Sequence, residues 1–470
     1  VPGQWAGKGK KAVKVIVCGA GQVGSNIARY LASEGNNVTV IDHSPELIQR
    51  ISDTLDVQAM VGHASHPDVL ESAGAGETDM IIAVTQIDEI NMVACEVAHA
   101  LFKVPTKIAR VRNQSYLKPI WADLFSRDHM PIDVIISPEI AVARAIARRL
   151  QVPGAFDMIP LADGKVRVVG VLCTESCPVL HTPLRQLTGL FPDLGLEVVA
   201  IIRNDRSFIP GGDDQMLPGD EVYFACDNRH LNRAMAAFGH EEVEARRIII
   251  LGGGNIGLCL AEELEAKYPQ VTARIIEMNR SRAQFVAQRL SRTMVLHGDG
   301  LDPEILEEAN VRATETVVAV TNDDEGNILS SLLAKRHGAK RAITLINKAS
   351  YSSLVSPLGI DAVVSPRAIT VSNILQHVRR GRIRAVHSLR DGFAEVIEAE
   401  ALETSAVVNT PLREVKLPSG VIVGAIVRGD EVIIPRPATV IRPKDRVIIL
   451  ATTGQVKKVE KMFAVRLEFF

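Results

Sequence analysis

The sequence predicts an α/β protein of two like halves, each a doubly wound parallel sheet followed by a small α+β domain. Three observations carry that reading. A strand, glycine loop and helix occur together twice; short β-branched runs alternate with helical patterns through about the first 130 residues of each half; and strands joined by tight turns fill about the last 80.

The duplication runs from end to end. "VIVCGAGQVG" from Val15 returns as "IIILGGGNIG" from Ile248, an offset of 233 between Gly19 and Gly252. "IIAVTQIDEINM" from Ile81 returns as "VVAVTNDDEGNI" from Val317, and "ISPEIAVA" around Ser137 as "VSPRAITV" around Ser365. "TPLRQL" from Thr182 meets "TPLREV" from Thr410, and "AIIRNDRSFIP" from Ala200 meets "AIVRGDEVIIP" from Ala425. Offsets stay between 225 and 236, so the order of features is kept and a whole module has been copied.

In the first half the β-branched runs are Val13–Cys18, Val38–Ile41, Val57–Val61, Met80–Thr85, Lys107–Val111 and Val134–Ile136. Between them lie segments such as Glu89–Phe102 with apolar residues at helical spacing. Strand, helix, strand in this rhythm demands crossover connections and hence a parallel sheet. The later residues change character: "VRVVGVLC", "EVVAIIRND", "RSFIP" and "DEVYFAC" read as short strands, with a helix in "RHLNRAMAAF". Their counterparts are "GVIVGAIVRGDEVIIP", "PKDRVIIL" and the helical "GQVKKVEKMF".

Composition narrows the function. The 470 residues suffice for several domains with cores of their own, and 47% are hydrophobic but only 4% aromatic. Lys plus Arg (53) nearly cancels Asp plus Glu (55), so nucleic acid is not an expected partner. No apolar run approaches the roughly 18–20 residues of a membrane helix and no secretion leader opens the sequence; work at a membrane would be as a guest on a partner. Residues 1–13, Gly- and Lys-rich, read as an extension or cloning remnant. The six cysteines form no CxxC pair, which fits a reducing compartment, and metal or redox work at Cys173 and Cys177 is disfavoured.

The glycine loops point to a nucleotide. Gly19, Gly21 and Gly24 fit GxGxxG between strand and helix, where glycine serves a tight turn, close approach of a pyrophosphate, and close packing of helix on strand. The free amides of the first helical turn, Gln22 and Val23 among them, then face the phosphates. Asp42 closes the second strand 18 residues after Gly24, placed to accept from both ribose hydroxyls, and with no lysine or arginine immediately beside it NAD(H) is favoured over NADP(H). Gly252, Gly254, Asn255, Ile256 and Gly257 repeat the loop, and Glu277 follows Gly257 by 20 residues. Thr85 and Thr321, at the ends of the fourth strands, complete the candidate set. After the third strand "GHASHP" places His63 where "GDGLDP" places Asp299. An aspartate accepts from an adenine amino group and a histidine does so only as a neutral ring, so the two pockets can differ in ligand. Decay of one copy into a structural turn remains the alternative. No metal is expected at His63 and His66.

No catalytic residue is expected. A dehydrogenase needs a proton-transferring group in a substrate domain, but the small domains offer mostly Val, Ile, Pro and turn residues, and His181 becomes Asn409 in the copy. GxSxG, HExxH and a P-loop lysine are absent. Binding without chemistry is favoured; an NAD-dependent oxidoreductase and a soluble nucleotide-binding scaffold are the rival readings.

Taken together, "CGAGQVGSNIARYL", "GHASHP", "AVTQIDEINMVAC" and "IARVRN" in one half, with "LGGGNIG", "AVTNDDEGNILSSLLAKRHGAK" and "VGAIVRGDEVIIP" in the other, resemble the TrkA family over Lys14 to Phe463. These are cytosolic regulatory subunits of bacterial Trk potassium-uptake systems, built from tandem RCK (regulator of conductance of K⁺) domains. The resemblance implies a first Rossmann-like RCK-N domain at 14–137 and a linker helix with the first RCK-C domain at 138–245. A second RCK-N domain follows at 246–365, and a linker helix with the second RCK-C domain at 366–470. It further implies binding of NAD(H) and of ATP or ADP, with Arg110 reaching the phosphates in the first lobe while Leu345 stands at the matching place in the second. Self-association through RCK domains into a dimer or tetramer, a membrane-embedded Trk-type channel partner and a cytoplasmic position on the inner face of the plasma membrane are also implied. Ligand-dependent ring shape would then gate ion flux. The basic "HVRRGRIR" (His377 to Arg384) reads as a solvated face or crossover contact, and second as a contact with the membrane partner or lipid head groups.

Overall fold

Buried β-branched strands organise the chain. The computed structural model describes residues 12–126, 128–190, 194–242, 244–355, 357–378, 383–389 and 392–464; all but two residues of the expected N-terminal extension, and residues 379–382 of the basic segment, lie outside them. The chain divides into two units between Pro138 and Glu139.

In the first unit the order is β1 (Lys14–Cys18), α1 (Gln22–Ser33), β2 (Asn37–Asp42), α2 (Pro45–Thr54), β3 (Gln58–Val61), α3 (Pro67–Ser72), β4 (Met80–Ala83), α4 (Asp88–Ala100), β5 (Thr106–Arg110) and β6 (Val134–Ile136). The strands pair in parallel as β3-β2-β1-β4-β5-β6. Because β1 lies between β2 and β4, the chain reverses its winding there and a crevice opens at the carboxyl end of β1. Helix α1 buries Gly24, Ile27, Ala28 and Leu31, one face at helical spacing.

The second unit begins with α5 (Pro138–Leu150) and β7 (Ala155–Leu161), β8 (Val166–Leu172), α6 (Leu184–Leu190), β9 (Leu196–Arg203), β10 (Arg206–Phe208), β11 (Glu221–Asp227) and α7 (Leu231–Ala237). Its strands form an antiparallel sheet, β10-β9-β11-β8-β7. A second parallel sheet follows, from β12 (Arg247–Leu251), α8 (Asn255–Lys267), β13 (Thr272–Glu277), α9 (Arg280–Arg289), β14 (Met294–His297), α10 (Pro303–Glu308), β15 (Thr316–Ala319), α11 (Asp324–Arg336), β16 (Arg341–Leu345), α12 (Ala349–Val355) and β17 (Ala362–Val364), ordered β14-β13-β12-β15-β16-β17. After α13 (Pro366–Val378), β18 (Ile383–Leu389), β19 (Ala394–Glu400), β20 (Val421–Arg428), β21 (Glu431–Ile433), β22 (Arg446–Thr452) and α14 (Val456–Phe463) give the sheet β18-β19-β22-β20-β21. The α/β class expected from sequence is therefore the architecture observed, with strands β7, β18 and β19 and helix α6 added to the small domains.

Two packing features exceed what the sequence predicts. Helix α5 follows the first sheet, yet its Val142, Ile146 and Leu150 share a core with Ile248, Ile250 and Leu258 of the second parallel lobe. The two antiparallel sheets share another core, in which Val199 and Ala225 meet Ala425 and Leu450. Gly424 permits the approach: a Cβ there would sit 3.0 Å from both the Ala225 Cβ and a Val199 methyl. A polar seam joins the same domains, with Arg446 Nε donating to Glu398 at 2.6 Å and the Ala162 amide donating to the same carboxylate at 2.8 Å.

His181 and Asn409 both hold a left-handed backbone, φ 56° and 60°. The exchange between copies is thus a turn position, where Asn and His are tolerated.

Candidate functional site

The candidate sites are the crevices at β1 and β12, where three glycines of each loop have different reasons to be glycine. Gly19 has φ +111° and a Cβ would lie 3.0 Å from the Thr85 amide. At Gly24 a Cβ would lie 1.8 Å from the Gly19 carbonyl oxygen, so only glycine lets α1 lean on the loop. Gly21 differs: its φ of −65° suits any residue, and a Cβ would meet nothing within 4 Å. The fold itself does not require glycine there. Gly252 (φ +104°), Gly257 (2.0 Å to the Gly252 oxygen) and Gly254 (nothing within 4 Å) repeat the pattern.

Each loop is tied to its acid. Asp42, buried at the end of β2, accepts from the Ala20 amide at 2.6 Å and from the Ser44 amide at 2.9 Å. Glu277 accepts from the amides of Gly253 (2.7 Å) and Asn279 (2.8 Å). A carboxylate oxygen has a second lone pair, so an acid held this way still accepts from a diol at the crevice rim. The extra methylene of Glu277 keeps the same bonds from a less buried position.

In the first unit α2, α3 and α4 carry Glu46, Asp68 and Asp88 with Glu89 in their first turns, whereas α1 carries no acid; in the second parallel lobe α10 and α11 carry Glu304 and Asp324 with Glu325, whereas α8, α9 and α12 carry none. The amides of Gln22 and Val23, and of Asn255 and Ile256, open these two helices at the glycine loops, where the dipole is positive.

The remaining candidates rim the crevices. Thr85 and Thr321 follow β4 and β15, and each is clamped by an asparagine that no motif in the sequence singles out. Asn91 Oδ1 accepts from the Thr85 amide (2.8 Å) and hydroxyl (2.7 Å) while its Nδ2 donates to the Arg110 carbonyl (2.9 Å). Asn327 does the same for Thr321 (2.9 and 2.7 Å) and Leu345 (3.0 Å). The signal was present as an asparagine in both copies of the repeat. His63 Nδ1 lies 3.1 Å from the Ser65 hydroxyl and stacks on His66 at 4.9 Å, whereas the exposed Asp299 accepts from the Leu301 amide at 2.9 Å.

The guanidinium differs between crevices. Arg110 ends β5 in the first lobe, and buried Leu345 holds the place at the end of β16. The second lobe instead has Arg282 in α9, a residue that belongs to no recognisable motif: its Nε donates to the Gly253 carbonyl at 2.7 Å, and it lies over the Phe285 ring at 5.0 Å. Five residues after the acid, the first lobe has Leu47 where the second has Arg282.

The cysteines are all free and buried, and burial pushes the Cys18 thiol up to about 12. The Cys173 and Cys177 thiols hydrogen-bond within the first small domain's core, which raises Cys173 and lowers Cys177. Among the described residues no group of three or more His, Cys, Asp or Glu is placed to hold a metal, and no helix is long and apolar enough to cross a membrane.

Residues 15–138 and 248–366 match the TrkA-N domain, and residues 168–239 and 396–464 match the TrkA-C domain. The chain is 55% identical to a Trk system potassium uptake protein TrkA of Azorhizobium caulinodans, over 97% of this chain and 100% of that one. It is 43% identical to the protein of that description from Halomonas elongata, again over 97% and 100%. Among solved structures the RCK domain of GsuK aligns with a TM-score of 0.60 at 18% identity, covering 97% of this chain and 96% of that one. The GsuK channel bound to NAD aligns at 0.58 and 19%, covering 97% and 80%.

Proposed function

The chain belongs to the TrkA family, with the family's two domain types each present twice, and on that premise we propose that it is a nucleotide-sensing regulatory subunit that gates K⁺ uptake. NAD(H) and ATP or ADP are the ligands. In the first lobe Gly21, the opening amides of α1 and Asp42 hold phosphates and ribose, with Arg110 at the rim; in the second Gly254, the opening amides of α8, Glu277 and Arg282 do so. The observation that carries this reading is the pair of acid-tied glycine loops, each with one glycine that the fold itself does not require. The NAD complex of the GsuK channel, which shares the fold, supports NAD as a ligand class.

No step of chemistry is assigned. The residues binding ligand act as a sensor: a nucleotide that prefers one arrangement shifts the population by its differential affinity, commonly about 1–3 kcal/mol of coupling. Helix α5 suits transmission, because it continues from β6 of one lobe and forms core of the next. The chain lies in the cytoplasm at the inner face of the plasma membrane, a membrane-embedded Trk-type subunit receives the change, and RCK self-association repeats the bias around a ring.

Reconstitution with the membrane subunit in vesicles tests this. ATP, ADP and NADH are expected to change K⁺ flux differently, and the changes to vanish in a Gly21→Asp, Gly254→Asp chain. Flux indifferent to all three, or steady turnover of NADH with a small substrate, overturns the proposal.

A further inference from the structure

A second kind of anion site lies away from both glycine loops, in a cleft of about 680 Å³ between α5, the first small domain and the end of α8. That volume falls in the range of small-molecule sites, roughly 300–1,000 Å³. Five cations line it against two carboxylates. Three of the five are engaged: Lys267 pairs with Glu263 at 2.7 Å, Arg144 reaches the same acid at 3.8 Å, and Arg229 pairs with Asp227 at 2.6 Å.

Arg148 and Arg167 are not so neutralised. Arg167 Nε donates to the Asn228 amide oxygen at 2.9 Å and the side chain touches the Met158 sulfur, with no carboxylate partner among the described residues. Arg148 Nε is buried with no hydrogen-bond partner among them. Its neighbour Arg149, one position on in the same helix, bonds the Phe156 and Ala145 carbonyls and Asp157. The helix therefore satisfies one guanidinium completely and leaves the adjacent one open to the cleft. Burial pulls both Arg148 and Arg167 below the usual guanidinium range, and Tyr268 lies near enough to influence each. A desolvated cation without a counter-charge is costly, and an anion arriving from solvent offsets that cost. The larger cleft that Arg148 also borders is balanced, seven cations to seven carboxylates, so the excess of charge belongs to the smaller one.

We propose that this cleft binds a phosphorylated small molecule, with a phosphate seated between Arg148 and Arg167. A doubly charged tetrahedral group uses two guanidinium forks where a lone carboxylate is satisfied by one. The site is independent of the glycine loops and of the function assigned to them.

The test uses the full chain carrying Gly21→Asp and Gly254→Asp, which close the loops to phosphate. Calorimetric titration with inorganic pyrophosphate is expected to retain one binding event per chain. Arg148→Met should weaken it at least 30-fold, Arg167→Met similarly, and Arg148→Lys less. ADP bound with the same arginine dependence identifies a nucleotide as the source, and pyrophosphate bound without ADP an inorganic one. In the ligand-free chain Arg148→Met should leave the melting temperature unchanged or raised, since the buried Nε had no hydrogen-bond partner among the described residues; a merely structural arginine would lower it. No pyrophosphate binding in the loop-closed chain, or binding unaffected by Arg148→Met, overturns the proposal. So does a change in self-association, read by light scattering, with binding intact.

Discussion

Replacing Gly24 and Gly21 separately by alanine distinguishes a glycine kept for the fold from one kept for a ligand. At Gly24 the new Cβ would lie 1.8 Å from the Gly19 oxygen and 2.9 Å from its carbonyl carbon, so α1 must withdraw from the loop by more than about 1 Å to restore van der Waals contact. Overpacking of this kind costs about 1–3 kcal/mol, and at about 2–4 °C per kcal/mol for a domain of this size the middle of that range lowers the ligand-free melting temperature by roughly 4–8 °C. At Gly21 the extended backbone accepts alanine, nothing lies within 4 Å, and the unfolded chain loses entropy; stability should hold or rise by about 0.4–1 kcal/mol. Saturating NAD at about 100 times its Kd stabilises a binding-competent lobe by roughly 2.7 kcal/mol. The first lobe's increment should disappear in Gly21→Ala, so the total falls below that of the wild type. Differential scanning fluorimetry of both variants, with and without NAD, reads all four values. The reasoning is refuted if Gly21→Ala keeps the wild-type NAD increment, or if Gly24→Ala melts where the wild type does.

Four further outcomes are expected. Asp42→Asn preserves shape but weakens the acceptor, so calorimetry should find first-lobe NAD affinity reduced about 10- to 100-fold, as Glu277→Gln does in the second. Arg282→Leu, which installs the residue found at Leu47, should weaken ADP binding in the second lobe alone, by about 5- to 30-fold. Glu395 is fully buried beside Glu460, and burial above all holds its carboxyl up at about 8. Its unfolded form ionises near 4.5, so the stability it contributes is full below that pH and is lost as pH rises through about 8; denaturant melts should show that slope, roughly 3–5 kcal/mol in all, flattened by Glu395→Gln. Glu398→Ala leaves the Ala162 amide without its acceptor and Arg446 with Asp163 alone, and should cost about 1–3 kcal/mol in the same melts.

What the sequence made legible follows from where side chains meet solvent. Strands such as β1, β4 and β12 are buried on both faces and so appear as unbroken Val and Ile runs. Strand β19, "AEVIEAE", was missed because Glu395 and Glu398 are buried inside it, and two acids among alanines do not announce a strand. The partners Arg446, 48 residues from Glu398, and the Ala162 amide, 236 residues away, make one of them comprehensible. Helix α5 had a readable apolar face, but periodicity identifies a face without saying what covers it, and here the cover is the second lobe's sheet. The glycine loops and their acids were visible because local backbone geometry dictates their spacing. Asn91, Asn327 and Arg282 act across the fold, through a neighbouring strand end or loop, and spacing alone does not single them out.

The exchange of arginines bears on whether the two loops sense one molecule. The first lobe has Arg110 at the end of β5 and Leu47 in α2; the second has Leu345 at the end of β16 and Arg282 in α9. The arginines thus stand on different elements in the two lobes, and the rim residue also changes, from stacked His63 to exposed Asp299. A decayed copy would have lost its acid or the glycine that the fold does not need; Glu277 and Gly254 are both in place and tied as their counterparts are. Loss of function without loss of these groups is a poor account of such a crevice. On the function proposed above, two sites with differently placed cations rank nucleotides differently by phosphate number and base, and one chain then weighs two metabolite signals against each other rather than counting one twice.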